Sequence, residues 1–261
     1  MLSHIKLSTL PRSIDPIQAL LISLWVLTMI ALPIINWTYG WEATVKAIIA
    51  GVVVQVSVVV AVLWKSWGTA KTVRISALVF LLGWTAEAVG SHTGYPFGDY
   101  AYTQALQPQI LGVPLLIPLA WMMMMPPAWG VATAISSRFE QRWQTAVFII
   151  LSAAAMTAWD LFLDPQMVAW GLWAWASPAG YFGIPWSNYL GWLLVSALIT
   201  AIIRPNQLPI PGLLLIYTIT WILQTIGLGI FWKLPGPAIA GGIFMGMLTI
   251  LGWRAYLNSK E

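Results

Sequence analysis

Residues 73–102 read VRISALVFLLGWTAEAVGSHTGYPFGDYAY. The stretch opens as an apolar run over 73–91, long enough to cross a hydrocarbon core, and carries a carboxylate, Glu87, near its end. It then passes into a loop rich in glycine and tyrosine. Between Glu87 and Tyr102 lie two of the chain's eight acidic residues, one of its two histidines, three glycines and three tyrosines. A polar, glycine-bearing loop at the mouth of a membrane helix is tolerated where it is buried in protein or lines a cavity. The chemistry of the chain is therefore expected here.

Working outward, the composition demands a membrane. Of 261 residues 59% are hydrophobic and only 8% charged, too few polar side chains to cover a water-soluble domain. Zero cysteines exclude structural disulfides, iron–sulfur clusters and thiol catalysis, and two isolated histidines, His4 and His92, exclude a histidine-box di-iron site. No GxGxxG fingerprint occurs, so acid–base chemistry without a redox cofactor or metal is the expected class of any enzyme activity. The net charge of +4 is dispersed among apolar spans, which does not point to nucleic acid.

Asp15-Pro16 reads as a helix N-cap followed by proline at the first helical position. No small-residue cleavage site follows the first apolar run, which is read as an uncleaved span. Apolar runs near 17–36, 43–64, 73–91, 113–135, 144–164, 187–203, 211–231 and 236–256 each have membrane-spanning length. The predicted fold is an all-α, polytopic membrane helical bundle of about eight transmembrane helices. It comprises a tail over 1–16, one membrane domain over 17–256 and a tail over 257–261. With both termini cytoplasmic, the inner segments hold ten lysines and arginines and the outer ones only Lys46 and Lys233, as the positive-inside rule requires. The same orientation puts Glu87, Asp99, Asp160 and Asp164 in one layer toward the outer leaflet.

A weak internal repeat suggests a shared site. Gly112-Val113-Pro114 precedes Trp121 by the same interval as Gly183-Ile184-Pro185 precedes Trp192, and each block follows an acid-ended span and an aromatic loop. Residues 73–135 and 144–203 are thus expected to form two hairpins related by a pseudo-twofold axis, with the site between them.

Several side chains could carry chemistry. Glu87, inside an apolar run, is costly unless it faces a bundle interior; its plainer role is a helix-packing hydrogen bond. Asp160 and Asp164, four apart in AWDLFLDP, share a helix face at the helix's C-terminal end and form a candidate general acid. Asp164 could equally serve a turn before Pro165. Asp99, after glycine, reads first as turn chemistry, and His92 as a lone structural hydrogen bonder or proton shuttle. Asn188 is a cap or a partner for an acid. Gln55 and Gln224 are expected to link helices. Eighteen tryptophans largely reflect membrane interfaces, but Trp159, Trp170, Trp173, Trp175 and Trp186 bracket the aspartates, and aromatic faces stabilise cations. Met122–Met125 form a pliant apolar run suited to a long lipid ligand or to plain core.

EAVGSHTGYPFGDYAYT from Glu87, the following GVPLLIPLAWMMM, then DLFLDP, WGLWAW and GYFGIPWSNYLGW together resemble membrane carotenoid-biosynthesis proteins. That family includes the carotenoid 1,2-hydratases of bacteria and archaea, the γ-carotene and bisanhydrobacterioruberin hydratases. The resemblance covers about residues 80–195. Ala105-Leu106-Gln107-Pro108 departs from it, lacking a glycine before the proline.

The resemblance implies a cofactor-independent enzyme in a prokaryotic cell membrane that adds water across the terminal double bond of a linear or monocyclic carotenoid. It implies a role for Asp160 as proton donor, with Glu87 or Asp164 orienting water, the three roles being permutable. Tyr95, Phe97, Tyr100, Tyr102, Trp121, Trp159, Trp173, Trp175 and Asn188 would then surround the substrate, with His92 and Asp99 accessory. Expected partners are the carotenoid, water, the bilayer and other enzymes of the same pathway. A lycopene-cyclase-like outcome, or a transporter using intramembrane acids as a relay, are the alternatives.

Overall fold

The computed structural model describes residues 14–260. The basic residues Lys6 and Arg12 and the histidine His4 lie outside them.

The chain is a bundle of helices. Helix α1 spans Pro16–Thr93, α2 Leu116–Ser136, α3 Gln141–Ala169, α4 Trp186–Ile203, α5 Ile210–Ile226 and α6 Pro235–Asn258. A π-helical turn, Gly227–Phe231, extends α5. Counting α1 once, six helices are long and apolar enough to cross a membrane.

Helix α1 begins as its sequence suggests. Asp15 accepts a hydrogen bond from the Gln18 backbone amide at 2.9 Å, the Gln18 side-chain oxygen accepts one from the Asp15 amide at 3.2 Å, and Pro16 occupies the first turn. Its 78 residues would make a rod of roughly 120 Å if straight, several times a hydrocarbon core. Two glycines break it instead. Gly40 (φ 79°, ψ −172°) and Gly68 (φ 70°, ψ 176°) adopt a backbone conformation that side chains with a Cβ rarely reach. The second break is tied down from α4–α5: Trp67 Nε1 donates to the Asn206 carbonyl at 2.9 Å and Ser66 Oγ to that of Gln207 at 2.8 Å.

Helix α2 is the central element, packing on α1, α3, α5 and α6. It runs through Pro126 and Pro127. Interior prolines remove helical hydrogen bonds, and a helix surrounded by others tolerates that loss best. Met122, Met124 and Met125 are core residues; Met123 alone of the four reaches the cavity described below. Sparse polar ties cross the apolar core. Gln55 Nε2 donates to Thr220 Oγ1 at 3.1 Å and Trp129 Nε1 to Thr200 Oγ1 at 2.9 Å.

The interhelical loops add short strands that an all-helical reading did not include. Strand β1 (Tyr100–Tyr102) pairs antiparallel with β4 (Trp173–Trp175), aligning Tyr100 with Trp175 and Tyr102 with Trp173. Strands β2 (Gln109–Ile110) and β3 (Val113–Pro114) form a second small pair. The β1–β4 ribbon joins the loop after α1 to the loop after α3. It thereby fixes the two acid-bearing helix ends relative to one another.

Candidate active site

Two turns of α1 prepare the position of Glu87. Gly83, Glu87 and Gly90 recur at four- and three-residue intervals, so they share one helix face. A Cβ on Gly83 would lie 2.9 Å from the Trp121 ring, and one on Gly90 would lie 2.6 Å from the Phe97 ring. The absent side chains let Trp121 and the β1 loop close on the carboxyl between them.

Glu87 is buried and accepts three hydrogen bonds. Tyr100 and Tyr102 donate their hydroxyls to Oε2 at 2.5 and 2.7 Å, and Trp121 Nε1 donates to Oε1 at 2.9 Å. Burial first, and then the field of Glu87, push both phenols well above their usual range, so they persist as O–H donors.

Asp160 and Asp164 are also buried, and one amide links them. Asn188 Nδ2 donates to Asp160 Oδ2 at 3.0 Å and also to Asp164 Oδ2. Asp164 Oδ1 accepts from Trp173 Nε1 at 3.0 Å, whereas Asp160 Oδ1 has no hydrogen-bond partner among the described residues. Asn188 therefore partners the acids rather than capping α4 by its side chain.

An aromatic wall joins the two acid groups. Trp121 and Trp192 stack with centroids 4.5 Å apart and planes within 5°. Trp159 meets Trp192 edge-on at 6.0 Å, and Tyr100 lies 5.6 Å from Trp175. Phe97 is wedged between helices: a Cβ on Gly191 would lie 2.8 Å from its ring, opposite the contact at Gly90.

These groups enclose a cavity of about 60 Å³, lined by Glu87, Asp164, Asn188, Phe97, Tyr100, Tyr102, Trp121, Trp173, Trp175 and Trp192 together with apolar side chains. The hollow is mostly apolar, and its few polar groups, Glu87, Asp164 and Asn188 among them, can hold a small number of water molecules in that volume. Asp160 and Trp159 sit behind this wall; neither lines the cavity. Tyr95 is 79% exposed and borders a separate apolar groove between α1 and α4. His92, exposed, contacts the Ala88 carbonyl through Nδ1 at 2.8 Å, and the Asp99 carbonyl accepts from the Ala176 amide at 2.9 Å at the ribbon's end. Among the described residues no three metal-ligating side chains gather in one place.

Two residues beside the acids escaped the sequence-based choice of site residues. Trp192 forms the cavity wall, and its place in the Gly-x-Pro repeat opposite Trp121 was the available signal. Tyr189, buried with its hydroxyl unpartnered among the described residues, follows Asn188 directly and carried no such signal.

The bisanhydrobacterioruberin hydratase of Haloarcula japonica is 34% identical over 115 residues, covering 44% of this chain and 38% of that protein. The aligned part is thus well under half of the relative's length. No solved structure matches the chain. A family model described as carotenoid biosynthesis protein matches residues 44–248, most of the chain and the whole of the site. On that match the chain belongs to the carotenoid biosynthesis protein family.

Proposed function

We propose that this protein is a carotenoid hydratase that adds water across the terminal double bond of a linear or monocyclic carotenoid. The observation that carries the reading is one cavity bounded by two carboxyl groups from different helices, Glu87 and Asp164, and by a stacked tryptophan wall. The family match and the relative's name support it.

The chemistry needs an acid, an environment for a cation and a held water. A carboxylic acid transfers its proton to the less substituted alkene carbon, leaving the positive charge on the tertiary carbon. Water bonds to that carbon, and the proton it sheds passes to a carboxylate. The sum is alkene plus water to tertiary alcohol, with no electrons exchanged. Asp164, facing the cavity, is assigned the proton transfer, with Asp160 coupled to it behind through Asn188. Glu87, held by three donors, orients the water. The faces of Trp121, Trp192 and Tyr100 stabilise the cation.

Several finer readings belong with this one. Taking α1 as three crossings, bent at Gly40 and Gly68, brings the total to eight, with both termini on the cytoplasmic side and the site toward the outer leaflet. The Trp121–Trp192 stack and the β1–β4 ribbon support two hairpins, 73–135 and 144–203, related by a pseudo-twofold axis. The buried acids Glu87, Asp160 and Asp164 meet at one site, which favours an enzyme over a relay crossing the membrane.

The test is pigment analysis of a lycopene-accumulating bacterium expressing the chain, repeated with a monocyclic carotene. A product heavier by one water, with its visible spectrum unchanged, is expected. An isomer of unchanged mass means ring closure instead, and unaltered pigment with both substrates overturns the reading.

A further inference from the structure

The cavity is far too small for a whole carotenoid, so only an end group can enter and the rest of the chain must leave by a defined route. Resting on the hydratase reading, we propose that the polyene lies in a lane between the second run of α1 and the end of α3, passing Val52 and Leu163.

Three observations converge on this lane. First, Ile48 and Val52 from α1 and Leu163 and Met167 from α3 line the same cavity as the carboxyl groups. They are wholly apolar, as the tail of such a substrate requires. Second, α1 packs on α2, α4 and α5, and α3 on α2, α4, α5 and α6, but α1 and α3 make no more than isolated approaches to each other. The cavity therefore occupies a gap between helices that do not close on one another. Val52 and Leu163 are only half-buried, while Ile48 and Met167 are buried. Third, the two facing stripes continue to a common cover. Trp41, Ile48 and Val52 recur at helical intervals on α1, as do Leu163, Met167 and Trp170 on α3. Trp41 and Trp170 meet edge-on at 5.7 Å, bridging the gap on the side of the aromatic loops. The lane is thus roofed toward that end and directs a rod-like chain sideways, into the bilayer.

The competing route is the groove of about 430 Å³ between residues 82–89 and 194–202. It is larger, but the Phe97 ring, held between Gly90 and Gly191, stands between it and the carboxyl groups.

Bulk placed in each route separates them. Wild-type protein and the V52W, L163W and L198W variants are expressed in a carotene-accumulating bacterium and purified in mild detergent, and pigment absorbance per protein is measured. Thermal unfolding of each variant in the same detergent reports whether it folds. Retained pigment is expected to fall about ten-fold or more in V52W and L163W, with thermal unfolding unchanged, and to persist in L198W. Wild-type pigment levels in V52W and L163W overturn the lane. Selective loss in L198W also overturns it, moving the chain to the groove. Hydration is scored in the same cells. Pigment held without any hydrated product refutes the hydratase reading and leaves the lane, whereas full hydration by V52W refutes the lane and leaves the hydratase.

Discussion

Glu87 and Asp164 share one cavity but are held in opposite ways. Glu87 receives three donors, two phenols and an indole, each from a residue that glycines on α1 or the β1–β4 ribbon fix in place. The aspartate pair divides a single amide between two carboxyl groups, adds one indole, and leaves Asp160 Oδ1 without a partner among the described residues. A saturated carboxyl is pre-organised and suited to orienting a small molecule. A pair that shares one donor is suited to moving a proton. Breaking each side should therefore fail in a different manner.

The largest effect is expected on the aspartate side. Asp164→Asn removes the assigned acid at nearly the same shape, though its NH2 must face one of the two donors that Asp164 accepts from, and turnover should fall roughly 10²–10⁴-fold, the range of general acid catalysis. The Tm in detergent should fall only modestly, by the one donor left without an acceptor, so a loss of turnover by orders of magnitude marks the defect as chemical. If D164N keeps full activity and Asp160→Asn loses it, the two aspartates exchange roles.

On the Glu87 side the damage should appear first in stability. Glu87→Ala would orphan three buried donors, each costing about 1–3 kcal/mol when left unsatisfied. A marked drop in Tm measured in detergent is expected, with Glu87→Gln intermediate. An unchanged Tm for E87A would mean the three donors are not held as described. Gly90→Ala tests the same side sterically. Its Cβ would press on Phe97 and Tyr100, and overpacking of this kind costs about 1–3 kcal/mol. G90A should lose activity and stability together, whereas Gly40→Ala, at a break with open space around it, should strain only the backbone. Comparing their Tm and turnover separates crowding of the site from bending of α1.

How much of this was legible in the sequence follows from cost. Glu87, Asp160, Asp164 and Asn188 stood out because a polar side chain within an apolar span is expensive, and all four converge. Which aspartate faces the cavity was not legible. Depth along α3 can be counted from residues, but the helix's rotation against its neighbours is set by packing. Trp192 was hidden among eighteen tryptophans, most of which an interface would explain equally well. The ribbon left a faint trace: Tyr-Ala-Tyr and Trp-Ala-Trp alternate with period two, but three residues are too few to distinguish a strand from an aromatic loop. The breaks in α1 coincide with Gly40 and Gly68, which lie between the expected spans. The backbone curls through them with so little loop that α1 remains one continuous element.

The smallest expected effects are on the aromatic wall. Trp192→Phe keeps a ring but loses part of the stack on Trp121, worth about 0.5–1.5 kcal/mol. A several-fold fall in turnover with unchanged substrate retention is expected if the wall serves the cation. Reduced retention with unchanged turnover of bound substrate would make it a binding surface only.

The central claim, that one carboxyl delivers a proton and water is captured in this cavity, is tested most directly by running the reaction in isolated membranes in heavy water enriched in heavy oxygen. The account predicts a product carrying one solvent oxygen on the tertiary carbon and one non-exchangeable deuterium on the adjacent carbon, formed by wild type and absent from D164N. A product with solvent deuterium but no solvent oxygen, or one formed equally well by D164N, would contradict it.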